Sequence, residues 1–196
     1  MQLEPEILEN EIVHLEPLRE DHRDALRPIA SDPDLWTLST IRGDGEYFDS
    51  WFDLMLKSQQ QAKQISHAVV RKTDGSVVGH TAFLSIFPEH ARLEIGWTWY
   101  DATARGTQIN PACKLLLLER AFSAGARRVE LKTHGLNRRS QNAMLKMGAK
   151  KEGVLRQHTK TWRGDWRDTV FFSVLRDEWP AVREGLEERL RPQFPD

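Results

Sequence analysis

Cysteine is almost missing from this chain of 196 residues. Cys113 stands alone, so the sequence can close no internal disulfide and build no multi-thiolate metal site; no metal is expected. Its ordinary reading is a small buried side chain. Tyrosine is scarce as well. Tyr47 and Tyr100 are the only two, which leaves everything after residue 100 without a phenol as a proton donor. An excess of one charge is also missing: 28 Lys plus Arg stand against 29 Asp plus Glu, a formal net charge of −1, and no broad basic field exists to wrap nucleic acid. Finally, no apolar run approaches the roughly 20 residues that span a bilayer. The acidic opening Met1-Gln2-Leu3-Glu4-Pro5-Glu6 is unlike the basic start of a secretory segment, so the expectation is a cytoplasmic protein without a membrane partner. With 39% hydrophobic residues the chain suits a single domain over 1–196, in which 180–196 form a C-terminal helix and tail.

What is present is an alternation of strand and helix patterns. Val13, Leu15 and Pro17 alternate as in a first strand over Ile12 to Leu18. Ala25, Leu26 and Ile29 then recur at helical spacing, until Ser31-Asp32-Pro33 ends that helix, because the residue before a proline avoids the helical region. A second helix over about Gly45 to Ser58 gathers Phe48, Trp51, Phe52, Met55 and Leu56 on one face, as a core helix does. His67 to Arg71 and Val77 to Phe87 read as a hairpin around Asp74-Gly75, where glycine supplies the positive φ of a tight turn.

Arg92 to Tyr100 reads as the next strand. Strict alternation puts Leu93, Ile95, Trp97 and Trp99 on one face and Glu94, Gly96, Thr98 and Tyr100 on the other. The turn Arg105-Gly106-Thr107-Gln108-Ile109 follows, then a helix expected over Pro111 to Ala124, with Asn110 as N-cap, Pro111 in the first helical position and Gly125 as the stop. Amides converging on a helix start bind anions through oriented N–H donors and the helix dipole, and the anion that suits this turn is a pyrophosphate. Arg128 to Thr133 reads as a further strand, followed by Asn137-Arg138-Arg139-Ser140 and a short helix ending at Met147-Gly148. Glu152 to Gln157 and Asp168 to Leu175 flank the Arg163-Gly164-Asp165 turn as strands, and Trp179, Val182, Leu186 and Leu190 mark a last amphipathic helix.

In this order the residues carry a resemblance. Glu94-Ile95-Gly96-Trp97, Arg105-Gly106-Thr107 with Asn110 and Lys114, Asn137-Arg138-Arg139-Ser140 with Ala143 and Lys146-Met147-Gly148-Ala149, Glu152-Gly153-Val154-Leu155-Arg156, and Arg167-Asp168 ahead of Phe172-Ser173 together resemble the GCN5-related N-acetyltransferase (GNAT) superfamily, in its RimJ/RimL-like branch. The similarity runs from about Ile12 to Trp179. It implies an α/β, GNAT-like acyl-CoA N-acyltransferase fold: a mixed, mostly antiparallel and partly splayed sheet flanked by helices. It implies acetyl-CoA as co-substrate, its pantetheine arm paired to the strand edge at Trp97, Thr98 and Trp99. The pyrophosphate would sit on the amides of Arg105, Gly106, Thr107, Gln108, Ile109 and Asn110, with Arg105 and Lys114 adding charge, and with Asn137 and Lys146 as further cofactor contacts. Gln108 and Asn110 depart from the small residues usual in such turns. Asparagine tolerates the geometry, whereas Gln108 stands where a glycine would let phosphate approach the backbone.

Acetyl transfer to an amine needs a free lone pair, a polarised carbonyl and a proton for the departing thiolate. Glu94, His134 and His158 are the candidate bases. Each also has a plain structural reading, an ion pair for Glu94 and a strand-end histidine for the others. The tyrosine that members of the superfamily use to protonate the thiolate has no counterpart, and the resemblance offers Ser140 in its place, with Asn137 beside it; both also suit the capping of a helix. Direct attack through a tetrahedral oxyanion, without an acyl-enzyme, is expected. An α-amine of pKa about 7.7 to 8 demands far less of a base than a lysine of about 10.4, which favours a small-molecule amine or a protein N-terminus as acceptor. Trp36, Tyr47, Trp51, Phe52, Trp162 and Trp166 are available to line its pocket. A homodimer is implied by the resemblance only. The alternatives are a non-catalytic acyl-CoA sensor and, from Arg127-Arg128 and Arg138-Arg139, a nucleic-acid-binding module, against which the near-neutral charge argues.

Overall fold

The computed structural model describes residues 1–191; residues 192–196 of the expected C-terminal tail lie outside the described residues. One eight-stranded sheet organises the chain, in the order β1-β2-β3-β4-β5-β6-β8-β7. Its strands are β1 (Leu8–Glu9), β2 (Val13–Pro17), β3 (Gln64–Arg71), β4 (Val77–Phe87), β5 (Arg92–Tyr100), β6 (Arg128–His134), β7 (Lys150–Lys160) and β8 (Trp166–Leu175). Every neighbouring pair is antiparallel except β5 and β6. Helices α1 (Arg23–Ala30) and α2 (Phe48–Gln60) cover one face of β2 to β5, while α3 (Ile109–Ser123), α4 (Arg138–Met147) and α5 (Trp179–Leu190) cover the other. No helix among the described residues is long and apolar enough to cross a membrane.

The period-2 and period-3.6 patterns explain most of this. In α2, Phe48, Trp51, Phe52 and Met55 are all buried, each large side chain removing apolar surface worth about 1.5–3 kcal/mol from water. The β3–β4 hairpin turns at Gly75, whose φ of +70° is open to glycine, while Asp74 Oδ1 accepts from the Ser76 amide at 3.0 Å. Strands β7 and β8 are longer than the alternation alone marks, because each borrows pairing from its neighbour out to Lys160 and Trp166 beside the turn.

Two local expectations fail. Helix α3 starts at Ile109, with Gln108 and not Asn110 in the N-cap position, and Pro111 therefore sits in the third helical position. Asn110 instead spends its side chain on a tertiary contact, accepting from the Tyr100 hydroxyl at 3.2 Å. The alternation in β5 also breaks. Trp97 has a φ of +48°, and the β4 register slips between His80 and Ala82. This bulge reverses the phase. Leu93, Ile95 and Tyr100 lie in the core under α3, while Trp97 and Trp99 pack with α1 and α2. Glu94 and Thr98 consequently face opposite sides of the sheet.

The α1–α2 connection is seated by tryptophans. Trp36 and Trp51 meet edge to face at 5.6 Å, and Gly43 fits against them with no room for a side chain: a Cβ there would lie 2.5 Å from Trp36 Cη2 and 2.9 Å from Trp51 Cγ. Gly43→Ala is expected to destabilise the protein by about 1–3 kcal/mol, read as a fall in Tm of about 2–4 °C per kcal/mol, since neither buried indole can retreat. An unchanged melting curve would show that the connection is free to move.

Candidate active site

The site begins where β5 and β6 part. Their parallel ladder consists of Arg92↔Arg128, Leu93↔Val129 and Glu94↔Glu130, and nothing pairs beyond it. From Ile95 to Tyr100 the β6-facing edge of β5 is therefore unpaired, while β6 itself stays bound to β8 through His134. Such an edge offers N–H and C=O groups to an extended ligand. The bulge sets one of them. The Trp97 carbonyl accepts from His80 Nδ1 at 2.8 Å, and because a trans peptide holds its C=O and N–H in opposite directions, the Thr98 N–H points away from that contact. Burial pushes the His80 ring down to about 4, so it stays neutral and the contact holds at any working pH.

At the far end of β5 lies the turn before α3. Among the described residues the amides of Gly106, Thr107, Gln108 and Asn110 have no backbone acceptor, and the Ile109 amide is held by Thr107 Oγ1 at 3.2 Å. These are donors at the positive end of a 15-residue helix. Gln108 leaves them open. Its φ is −71°, and its side chain turns away to donate to the Leu190 carbonyl at 3.3 Å, at the end of α5. Arg105 is already engaged, donating to Asp32 Oδ2 at 2.6 Å and to the Tyr100 carbonyl at 2.8 Å. Arg105 foremost, with Arg139 adding from a distance, holds the Asp32 carboxyl below its usual range, which brings the start of α4 to the same end of the molecule.

Lys114, one turn into α3, is a further cation on this face. Its Nζ donates to Thr98 Oγ1 at 3.0 Å, and that oxygen also meets Thr81 Oγ1 at 2.8 Å. No carboxylate pairs with it among the described residues, and burial lowers its pKa to about 8. At the start of α4, Asn137 Oδ1 accepts from the Ser140 amide at 3.0 Å, so Asn137 is the cap; the Ser140 hydroxyl has no hydrogen bond among the described residues. Lys146 stands apart from this group, exposed in the last turn of α4, where its carbonyl accepts from Arg189 Nη1.

On the opposite face of β5 sits Glu94, only 4% exposed. It is not a surface carboxylate paired with Arg92, which turns to Glu130 instead. Glu94 Oε2 lies 2.8 Å from Lys132 Nζ, and burial raises its pKa even though Lys132 opposes the rise. Of the other candidate bases, His134 spends Nδ1 on the Leu136 amide at 3.0 Å, and burial lowers its pKa. His158 is exposed on the edge strand β7, its Nδ1 3.1 Å from Thr169 Oγ1. The tryptophan wall follows: Trp51 and Trp99 pack against the His80 ring, Trp36 packs against both of them, and Trp162 Nε1 donates to the Trp36 carbonyl at 2.9 Å. Phe52 packs behind Trp51, Arg42 stacks between Tyr47 and Trp162, and Trp166 is exposed on β8.

Sequence reasoning missed Lys132, His80 and the bulge at Trp97. The one available signal was the pair Trp99-Tyr100: two successive large aromatics cannot share a strand face, so both faces had to be buried there.

Comparison with known proteins agrees with this geometry. The family model for an acetyltransferase (GNAT) domain matches residues 13–150. A GCN5-related N-acetyltransferase from Brucella melitensis is 30% identical, with a TM-score of 0.90 over 98% of this chain and 89% of that one. A further structure described as an acetyltransferase is 34% identical, with a TM-score of 0.88 over 98% of both chains. Mycobacterium smegmatis RimJ, solved in complex with CoA-disulfide, shares the fold at 19% identity, with a TM-score of 0.80 over 94% of each chain. No curated protein matches the sequence. With a domain model spanning most of its length and relatives at this identity, the chain belongs to the GNAT family of acetyltransferases.

Proposed function

We propose that the protein transfers the acetyl group of acetyl-CoA to a primary amine, either a small-molecule amine or a protein N-terminal α-amine, by direct attack. The observation that carries this reading is the loss of β5–β6 pairing after Glu94↔Glu130, ending at a helix start whose amides are unspent. Acetyl-CoA brings the acetyl group already activated as a thioester. Its chemistry fits the residues present: a strand edge at Trp97 to Trp99 for the pantetheine arm, and the amides of residues 106–108 and 110 with Lys114 for the pyrophosphate. Arg105 serves this turn by bracing it against Asp32.

The new bond joins the amine nitrogen to the acetyl carbon as the carbon–sulfur bond breaks, so nitrogen sheds a proton and sulfur gains one. Glu94 takes the first proton in this reading. It borders the gap, it is buried, and Lys132 at 2.8 Å favours its ionised form against the burial that raises its pKa, whereas His134 is tied to a backbone amide and His158 lies out on β7. The Thr98 N–H polarises the acetyl carbonyl as a preorganised donor. Ser140, with a free hydroxyl, supplies the proton for sulfur, and the amide nitrogen of Asn137 remains for the cofactor arm.

Cys113 stays outside the chemistry. It is fully buried within α3, and burial pushes its thiol up to about 12, so no thiolate forms near neutral pH. The test is calorimetry with acetyl-CoA followed by thiol release on a panel of amines. Binding with turnover is expected, and Cys113→Ala should keep kcat within a small factor. Binding without turnover would leave an acyl-CoA sensor, absence of binding would remove the reading altogether, and loss of turnover in a folded Cys113→Ala protein would contradict direct attack.

A further inference from the structure

Arg167 is the one arginine among the described residues that is buried, at 8% exposure. Of the other arginines on this side, Arg42 grips Asp44 through both oxygens, Arg92 meets Glu130, and Arg128 spans Glu130 and Glu152, while Arg163 stacks on Trp162. Arg167 has none among the described residues. Its polar contacts are long and neutral, from Nη1 to the Leu38 carbonyl at 3.3 Å and from Nε to Thr169 Oγ1 at 3.3 Å. A guanidinium is seldom buried without an acid, because removing its charge from water is costly unless a charge-assisted partner compensates. Burial accordingly lowers the Arg167 pKa from its ordinary value, and the one nearby charge that works against this is Glu94.

Its location gives the missing partner a place. Arg167 acts electrostatically on Glu94, at the last paired position of β5, and on His134, at the end of β6. It also reaches Leu38 in the connection between α1 and α2. It thus stands at the amine-receiving side of the gap, under the connection that Trp36 and Trp162 hold in place. The charge there is unbalanced: Lys132 already answers Glu94 at 2.8 Å, which leaves the charge on Arg167 in surplus.

We infer that the acceptor is a free α-amino acid or a close analogue, whose carboxylate Arg167 holds while its amine is presented to Glu94. The inference rests on the acetyl-transfer reading above. The planar guanidinium fork matches a carboxylate in two parallel hydrogen bonds, and filling it would bring the local charge to balance. A protein N-terminus offers a neutral amide carbonyl in the same position and leaves the surplus uncompensated, so the free amino acid is the better fit of the two acceptors proposed.

The experiment compares matched acceptors: a set of α-amino acids, the corresponding amino acid amides as stand-ins for a peptide N-terminus, and the decarboxylated amines. For the wild-type enzyme, kcat/KM on the best amino acid should exceed that on its amide and its amine by roughly 10- to 100-fold. In Arg167→Gln this preference should vanish through a rise in KM for the amino acid, so that the amino acid, its amide and its amine are turned over alike, and Arg167→Lys should recover part of the gap. Calorimetry with CoA present provides a readout independent of turnover: the N-acetyl amino acid should bind the wild type and lose affinity in Arg167→Gln, and the N-acetyl amine should not distinguish the two proteins. Equal turnover of the matched acceptors, a preference for amides, equal loss on all of them in Arg167→Gln, or no binding of the N-acetyl amino acid would each overturn the inference. Failure of the acetyl-transfer reading looks different, because then acetyl-CoA binding or thiol release is missing with every amine.

Discussion

Glu94→Gln lowers kcat by about 10²- to 10⁴-fold, the range over which a positioned general base contributes, and leaves acetyl-CoA affinity near the wild-type value. The reasoning is local. Glu94 lies across the sheet from Thr98 and Lys114, so the donor's contacts are untouched, and glutamine keeps the shape while losing the ability to take a proton. Lys132, one-third exposed, can turn to water once its partner is neutral. The pH dependence has a definite sign. Burial raises the Glu94 pKa above the ordinary 4.5, so the ionised, active form is lost at a higher pH than for an exposed glutamate, and the acid limb of the kcat/KM profile lies above 4.5. Stability follows the same group. A carboxyl whose pKa is raised in the folded state contributes stability below its unfolded pKa, and that contribution is lost as pH rises through the folded value. At neutral pH the buried charge is therefore a cost, and Glu94→Gln should melt no lower than the wild type. Steady-state thiol release and a melting curve check both halves; an unchanged kcat would return the role of base to a histidine, with His158 first.

Lys114→Met separates stability from donor binding in the same way. A lysine moved from 10.5 to about 8 binds its proton more weakly in the folded protein than in the unfolded chain, which makes the folded protein less stable below pH 8. At roughly 1.4 kcal/mol for each tenfold loss of proton affinity, the penalty is about 3 kcal/mol in all. It fades as pH climbs from about 8 to 10.5. Methionine fills similar volume and carries no charge, and the lost hydrogen bond to Thr98 costs about 1 kcal/mol, so the unliganded variant should gain about 2 kcal/mol, or about 4–8 °C in Tm. Acetyl-CoA affinity should move the other way, weakening about 10- to 100-fold for the loss of a charged contact to phosphate. Wild-type affinity should also decline above pH 8 as the ammonium deprotonates, a decline absent in the variant. A destabilised Lys114→Met with unaltered affinity would make Lys114 a structural residue.

Much of this was legible in the sequence, and the failures have physical causes. The Asp74-Gly75 turn, the apolar face of α2 and the Asn137 cap of α4 follow from short-range preferences that the tertiary structure leaves intact. The start of α3 does not, because Asn110 and Pro111 suit a cap equally well in isolation, and the contact with Tyr100 that recruits Asn110 into the helix is tertiary. The phase of β5 was hidden for a similar reason. A bulge at a tryptophan carries none of the glycine that usually announces one, and it is held by His80 on the adjacent strand. Lys132 and Arg167 were invisible as site residues since their importance lies in what surrounds them: one completes an ion pair across the β5–β6 ladder, and the other lacks a partner where arginines normally have one.

The central claim is that the unpaired run of β5 and the amides ahead of α3 form one donor site. Backbone amide NMR during titration with CoA tests it most directly. Thr98, Gly106, Thr107, Gln108 and Asn110 should shift together and saturate at a single concentration, with the β1–β2 pair unaffected. Shifts confined to other surfaces, or a β5 edge that stays silent while CoA binds, would contradict the account.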